Sequence, residues 1–167
     1  MTKPVRSDLR KGNQPDKHKD KEEISMVEGK EVPVGQGLFT WPSDDPRLIG
    51  THCKSCGDYF FPKTFTCHNP RCKEKQVEEV ALSRKGKLWS YSVLHYPPPP
   101  PFIAPDPFVP TPIAEVELPE GLKIIGMTED CDPEDIKIGM EMELVIGKLY
   151  TDKTGNDLIG WKFRPVR

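Results

Sequence analysis

The chain has no long apolar run. Nothing in its 167 residues approaches the roughly 20 that span a bilayer, so no membrane helix is expected. The N-terminus, Met1-Thr2-Lys3-Pro4-Val5-Arg6, carries charge but leads into no apolar region, so no secretory leader is expected either. A dominant charge of one sign is also missing. The formal net charge is −2 and the pI near 6.1, which gives no global pull toward nucleic acid or an anionic membrane. No glycine-rich phosphate loop is present. What the chain has in excess is proline, 19 of 167 residues, about twice average usage. The length suits one ordinary domain plus an accessory module.

Four of the 5 cysteines fall in two pairs. In Cys53-Lys54-Ser55-Cys56, with Gly57 behind it, the spacing makes a tight turn that points both sulfurs inward. Cys67-His68-Asn69-Pro70-Arg71-Cys72 completes a set of four soft ligands, the number that tetrahedral zinc takes. The second pair is separated by four residues rather than two, so His68 is an alternative to Cys67 in the ligand set. Tyr59-Phe60-Phe61-Pro62 and Phe65, between the pairs, read as a short hairpin whose aromatics cover one side of the metal. Residues 48–75 are therefore expected to form a rubredoxin-like zinc ribbon. A catalytic zinc keeps one position open and four cysteines fill them all, so the ion is expected to be structural. It would contribute about 10–16 kcal/mol of apparent binding energy to a segment too short to bury a core. Iron is the soft-ligand alternative, and disulfides fit this spacing less well. Reduced cysteines imply a cytoplasmic location.

Residues 1–47 read as an extended arm. The run Lys11, Asp16, Lys17, Lys19, Asp20, Lys21, Glu22, Glu23 cannot bury enough surface to fold alone. Val32, Val34, Leu38, Phe39 and Trp41 then lie among Pro33, Gly35, Gly37 and Pro42, an apolar strap that packs either on its own ribbon or on a partner.

From residue 76 the apolar pattern has period two. Strands are expected over 76–82, 88–95, 112–118, 122–127, 140–146 and 158–163, with a turn at Arg84-Lys85-Gly86-Lys87 and a polar loop at Thr151–Asn156. Asp132-Pro133-Glu134-Asp135 carries the start signals of a single helical turn. Five or six short strands suit an OB-fold barrel over residues 76–167, one face of each strand filling the interior. Residues 97–112 hold nine prolines in sixteen positions, together with Phe102, Ile103 and Phe108. Such a run is stiff and extended, and its apolar side chains point to a partner- or ligand-facing loop rather than a plain connector.

The ordered set Gly50-x-x-Cys53-x-x-Cys56-Gly57-x-x-x-Phe61-Pro62, the second cysteine pair, Ser92-Val93-Leu94-His95, the proline loop, Ala114–Gly121 and Ile138–Met142 resembles the zinc-ribbon/OB-fold family associated with acyl-CoA enzymes. The match covers about residues 48–166. Only the cysteines are specific as a motif; the order of all the parts carries the rest. The wider gap between Cys67 and Cys72 departs from the family's two-residue gap. The resemblance implies a thiolase-like catalytic subunit as partner, with acyl-CoA at the shared interface. Within the family the chain is similar to small subunits of thiolases from anaerobic toluene (benzylsuccinate) degradation.

Chemistry on thioesters needs an activated cysteine, a base and oxyanion donors. Cys131, the cysteine outside the pairs, sits in Thr128-Glu129-Asp130-Cys131-Asp132, where nearby acids suppress a thiolate. His95 has no orienting partner in sequence. No active site is expected. His95, Phe102 and Phe108 are the candidate contacts to a CoA thioester or to the partner, and Cys53, Cys56, Cys67 and Cys72 the metal ligands. The expected role is a non-catalytic subunit; a single-stranded nucleic-acid module is the alternative, with Trp89, Tyr91 and Tyr96 as base platforms. Against it, residues 73–167 hold 12 Lys and Arg against 16 Asp and Glu.

Overall fold

The computed structural model describes residues 29–100 and 102–167. The charged run at 11–23 and Pro101 lie outside the described residues. Within them every regular element is a strand, and no helix is long and apolar enough to cross a membrane. The chain is mainly β, a zinc-ribbon sheet followed by a closed barrel.

β1 (Glu31–Pro33) is followed by β2 (Ile49–Cys53), β3 (Tyr59–Phe60) and β4 (Val77–Ala81). The last three form a sheet ordered β3-β2-β4, both outer strands antiparallel to β2. β4 is the strand that alternation over 76–82 assigns to the barrel. Instead it pairs along its length with β2, from Ile49↔Ala81 to Cys53↔Val77. The reason is packing: Val77 lies on the cysteine cluster and Val80 on the main core.

β5 (Lys85–Leu94), β6 (Thr111–Glu117), β7 (Lys123–Thr128), β8 (Glu141–Thr151) and β9 (Asp157–Pro165) make the barrel. β5, β6 and β7 pair antiparallel in sequence, and β7 then runs parallel to β9. β9 pairs antiparallel with β8, and β8 returns to β5 to close the ring. That strand order is the OB-fold's. β1 adds a sixth strand, parallel to the start of β9. The period-two pattern fills the interior as expected: Ala114 and Val116 of β6, Met142 and Leu144 of β8 and Phe163 of β9 have no exposed surface.

Of three local expectations, two differ. Gly86 is not a turn glycine but lies inside β5, where an added Cβ would collide with the Glu117 carbonyl oxygen and sit 2.8 Å from Val116 Cγ1. Close backbone approach, rather than chain reversal, requires glycine there. The single turn expected at Asp132–Asp135 is present, with the Asp135 N–H donating to the Asp132 carbonyl at 3.0 Å. β8 continues past residue 146 through a bulge between Lys148 and Tyr150, so the polar loop shortens to 152–156. There the Asp152 carboxylate accepts the N–H groups of Thr154 and Asn156 at 2.8 and 2.9 Å.

The strap packs on its own chain. The Val34 N–H donates to the Ile159 carbonyl at 2.7 Å, and Phe39, 7% exposed, bridges to Leu48. Phe39, Leu48 and Leu82 belong to the same buried cluster as Leu88, Leu144 and Phe163 of the barrel. Trp161 of β9 receives Phe39 and Phe61 edge-on, at centroid distances of 6.4 and 5.6 Å. Ribbon and barrel therefore share one hydrophobic core.

Candidate metal centre and partner-facing loops

The metal centre is built from two knuckles at one end of the ribbon sheet. β2 ends at Cys53, whose N–H donates to the Asp58 carbonyl and whose carbonyl accepts the Gly57 N–H, both at 2.8 Å. Gly57 takes φ +81, which folds the chain back beneath Cys56. The second knuckle absorbs its longer gap through Asn69. Its carbonyl accepts the Cys72 N–H at 3.1 Å, its Oδ1 accepts the Arg71 N–H at 2.9 Å, and its Nδ2 donates to Asp58 Oδ2 at 2.6 Å. Asn69 thus ties one knuckle to the other, a role with no signature beyond a polar residue in a turn.

The Sγ atoms of Cys53, Cys56, Cys67 and Cys72 all lie within 4.8 Å of one another. Cys53 and Cys72 are 3.7 Å apart, Cys56 and Cys67 3.5 Å. A tetrahedral zinc with bonds of about 2.3 Å needs sulfurs about 3.8 Å apart, so this donor set fits the ion. His68 stands outside the set, its ring 5.4 Å from that of Phe60. Such a site stabilises the fold and offers no open position for substrate.

Thiols this close cannot all ionise without a cation between them. Burial pushes the Cys53 thiol up, but the N–H groups of Cys56 and Ser55 and the neighbouring thiols outweigh it and bring it down to about 6. Cys56 is pushed up to about 12: the Asp58 N–H lowers it, but burial and the thiols of Cys67, Cys53 and Cys72 prevail. Cys67 is raised chiefly by burial. A divalent ion between the sulfurs allows negative charge on all four.

Of the aromatics between the pairs, Phe60 alone packs against the cysteines. Tyr59 lies on His52 at 4.6 Å, Phe61 turns toward Trp161, and Phe65 is 101% exposed. The expected aromatic cover over the metal is a single ring, because the sequence pattern does not say which way a hairpin residue faces.

The three candidate contacts after β5 lie in different settings. His95 follows the end of β5 and is exposed, as is Tyr96. Phe102 is half-buried against Tyr150 of β8, centroids 5.0 Å apart, and Phe108 is half-buried farther along the loop. Tyr150 was hidden from sequence reasoning by the bulge that breaks alternation in β8. Ile103 and Val109 remain exposed. Cys131 is half-buried, its thiol raised by burial and then by the carboxylates of Asp135 and Asp132. A surface cleft of about 510 Å³ is lined by Lys85, Lys87, Glu117 and Glu141 among others, alternating charges without a nucleophile.

Residues 41–78 match the ChsH2 rubredoxin-like zinc ribbon domain, and residues 79–147 the ChsH2 C-terminal OB-fold domain. The chain is 43% identical over 126 residues to a DUF35 domain-containing scaffold protein of Methanocaldococcus jannaschii, covering 71% of this chain and 82% of that protein. It is 35% identical over 138 residues to the benzoylsuccinyl-CoA thiolase subunit BbsA of Thauera aromatica, covering 77% and 85%. Among solved structures it resembles a chain of the Ltp2-ChsH2(DUF35) aldolase, with TM-score 0.54 and 30% identity over 71% of this chain and 84% of that one.

Proposed function

The chain belongs to the ChsH2/DUF35 family of zinc-ribbon and OB-fold proteins, and from that premise we propose that it is a non-catalytic subunit of a thiolase-type acyl-CoA complex. Its extensive likeness to proteins named as thiolase subunit and scaffold carries the reading. The chemistry agrees. The four-cysteine centre has no vacant ligand position, and the thiol of Cys131 is held protonated beside carboxylates. Thiolate ligands also favour a reducing, cytoplasmic setting.

In this reading the proline loop, through Phe102 and Phe108, helps shape the channel that holds the CoA thioester on the catalytic chain, with His95 at its edge. A role in anaerobic aromatic degradation rests on the likeness to BbsA. A second reading, a scaffold that joins catalytic chains without touching substrate, draws on the higher identity to the archaeal scaffold protein. The nucleic-acid alternative is weakened by Glu115 and Glu117 on β6, the strand that pairs with β5 where Trp89 and Tyr91 lie.

Reconstitution tests the proposal. Thioester consumption is followed with this chain alone, with the thiolase-like chain alone, and with both. Turnover is expected from the combined chains and none from this chain alone. Turnover by the isolated chain, or a partner indifferent to its presence, overturns the reading.

A further inference from the structure

We propose that Phe65 is the anchor by which the ribbon docks on the catalytic chain, seated in an apolar socket whose rim carries carboxylates. The proposal rests on the thiolase-subunit reading and names the contact within it. Phe65 is 101% exposed, although large aromatic side chains usually find cover. It also sits on a loop held from both sides. On one side the hydroxyl of Thr51, 2% exposed on the central ribbon strand, accepts the Thr64 N–H at 2.8 Å and donates to the Thr64 carbonyl at 3.2 Å. The Thr64 hydroxyl in turn donates to the Thr66 carbonyl at 2.9 Å. On the other side Cys67 is buried in the metal cluster.

A bare aromatic on a locked loop loses little freedom when a partner covers it, the situation in which a single ring dominates an interface. The partner's chemistry follows from charge. Residues 63–75 hold Lys63, Arg71, Lys73 and Lys75 against Glu74, a local excess of cations on a chain whose formal net charge is −2. Arg71, Lys73 and Lys75 are exposed, and Lys63 is already paired with Glu79 at 2.8 Å. The complementary surface is an apolar pocket ringed by Asp and Glu.

The test uses the full-length, zinc-loaded protein and the thiolase-like chain that accompanies it in its source cells, identified by mass and titrated pure. Phe65→Ala is expected to weaken association by roughly 30-fold or more, with zinc content and melting temperature unchanged, and Phe65→Leu to restore most of it. Lys73→Glu with Lys75→Glu is expected to weaken binding and flatten its dependence on salt. If wild type and Phe65→Ala bind equally, the anchor is overturned and the subunit reading stands. If wild type does not bind the thiolase-like chain, both fall. Should Phe65→Ala lose zinc or melt early, hydrogen exchange on the wild-type complex decides. Protection of the 63–67 amides supports the anchor; unchanged exchange there overturns it.

Discussion

Replacing Phe39 by alanine removes a side chain 7% exposed, whose ring meets Trp161 at 6.4 Å within the cluster that also holds Leu48 and Phe163. Truncating a buried phenylalanine to alanine costs about 3–5 kcal/mol. Phe39 lies on a strap at the rim of the core and its surroundings can partly collapse, which points to the low end, about 3 kcal/mol. At about 2–4 °C per kcal/mol for a chain of this length, the melting temperature falls by about 6–12 °C. The shared core makes a sharper demand. Zinc release, followed with a chromophoric chelator, and barrel unfolding, followed by circular dichroism, must shift together. If zinc release moves while the barrel melts at its original temperature, the two sheets do not share a core and the reasoning is refuted.

Asn69→Ala removes the side-chain bonds to Asp58 and to the Arg71 N–H. At about 1 kcal/mol for each hydrogen bond, zinc transfer to a competing chelator is expected to quicken by about tenfold or more, and an unchanged rate would show that the knuckles need no tie. Zinc affinity is expected to fall with falling pH. In the metal-free ribbon Cys56 is pushed up to about 12 and Cys67 is also raised, so both hold protons near neutrality that the metal must displace. At least two displaced protons give a loss of about 100-fold or more per pH unit, read by chelator competition between about pH 7 and 8; a flat profile would contradict it.

The parts legible in sequence were those in which residue type and spacing suffice. Two cysteine pairs define a metal centre wherever the chain brings them together, and alternation in Ala114, Val116, Met142 and Leu144 marks strands with one filled face. What escaped was set by tertiary contact. Val77 and Val80 alternate like a barrel strand, yet their apolar partners lie on the ribbon and the strand follows them. Gly86 has the look of a turn residue, and only the approach of Glu117 explains why it is a glycine. Phe65 and Phe61 are alike in the sequence; one faces solvent and the other Trp161, a difference that residue type alone does not carry. The proline stretch announced a surface loop, but the ring that receives Phe102 sits beyond a bulge that no periodicity reaches.

Native mass spectrometry of the untagged assembly from its source cells, with bound metal retained, bears most directly on the claim that this chain supplies a metal-pinned surface and another chain the reactive groups. The expected mass contains this chain with one zinc ion together with a larger thiolase-like chain. A metal-free chain that appears alone would contradict it.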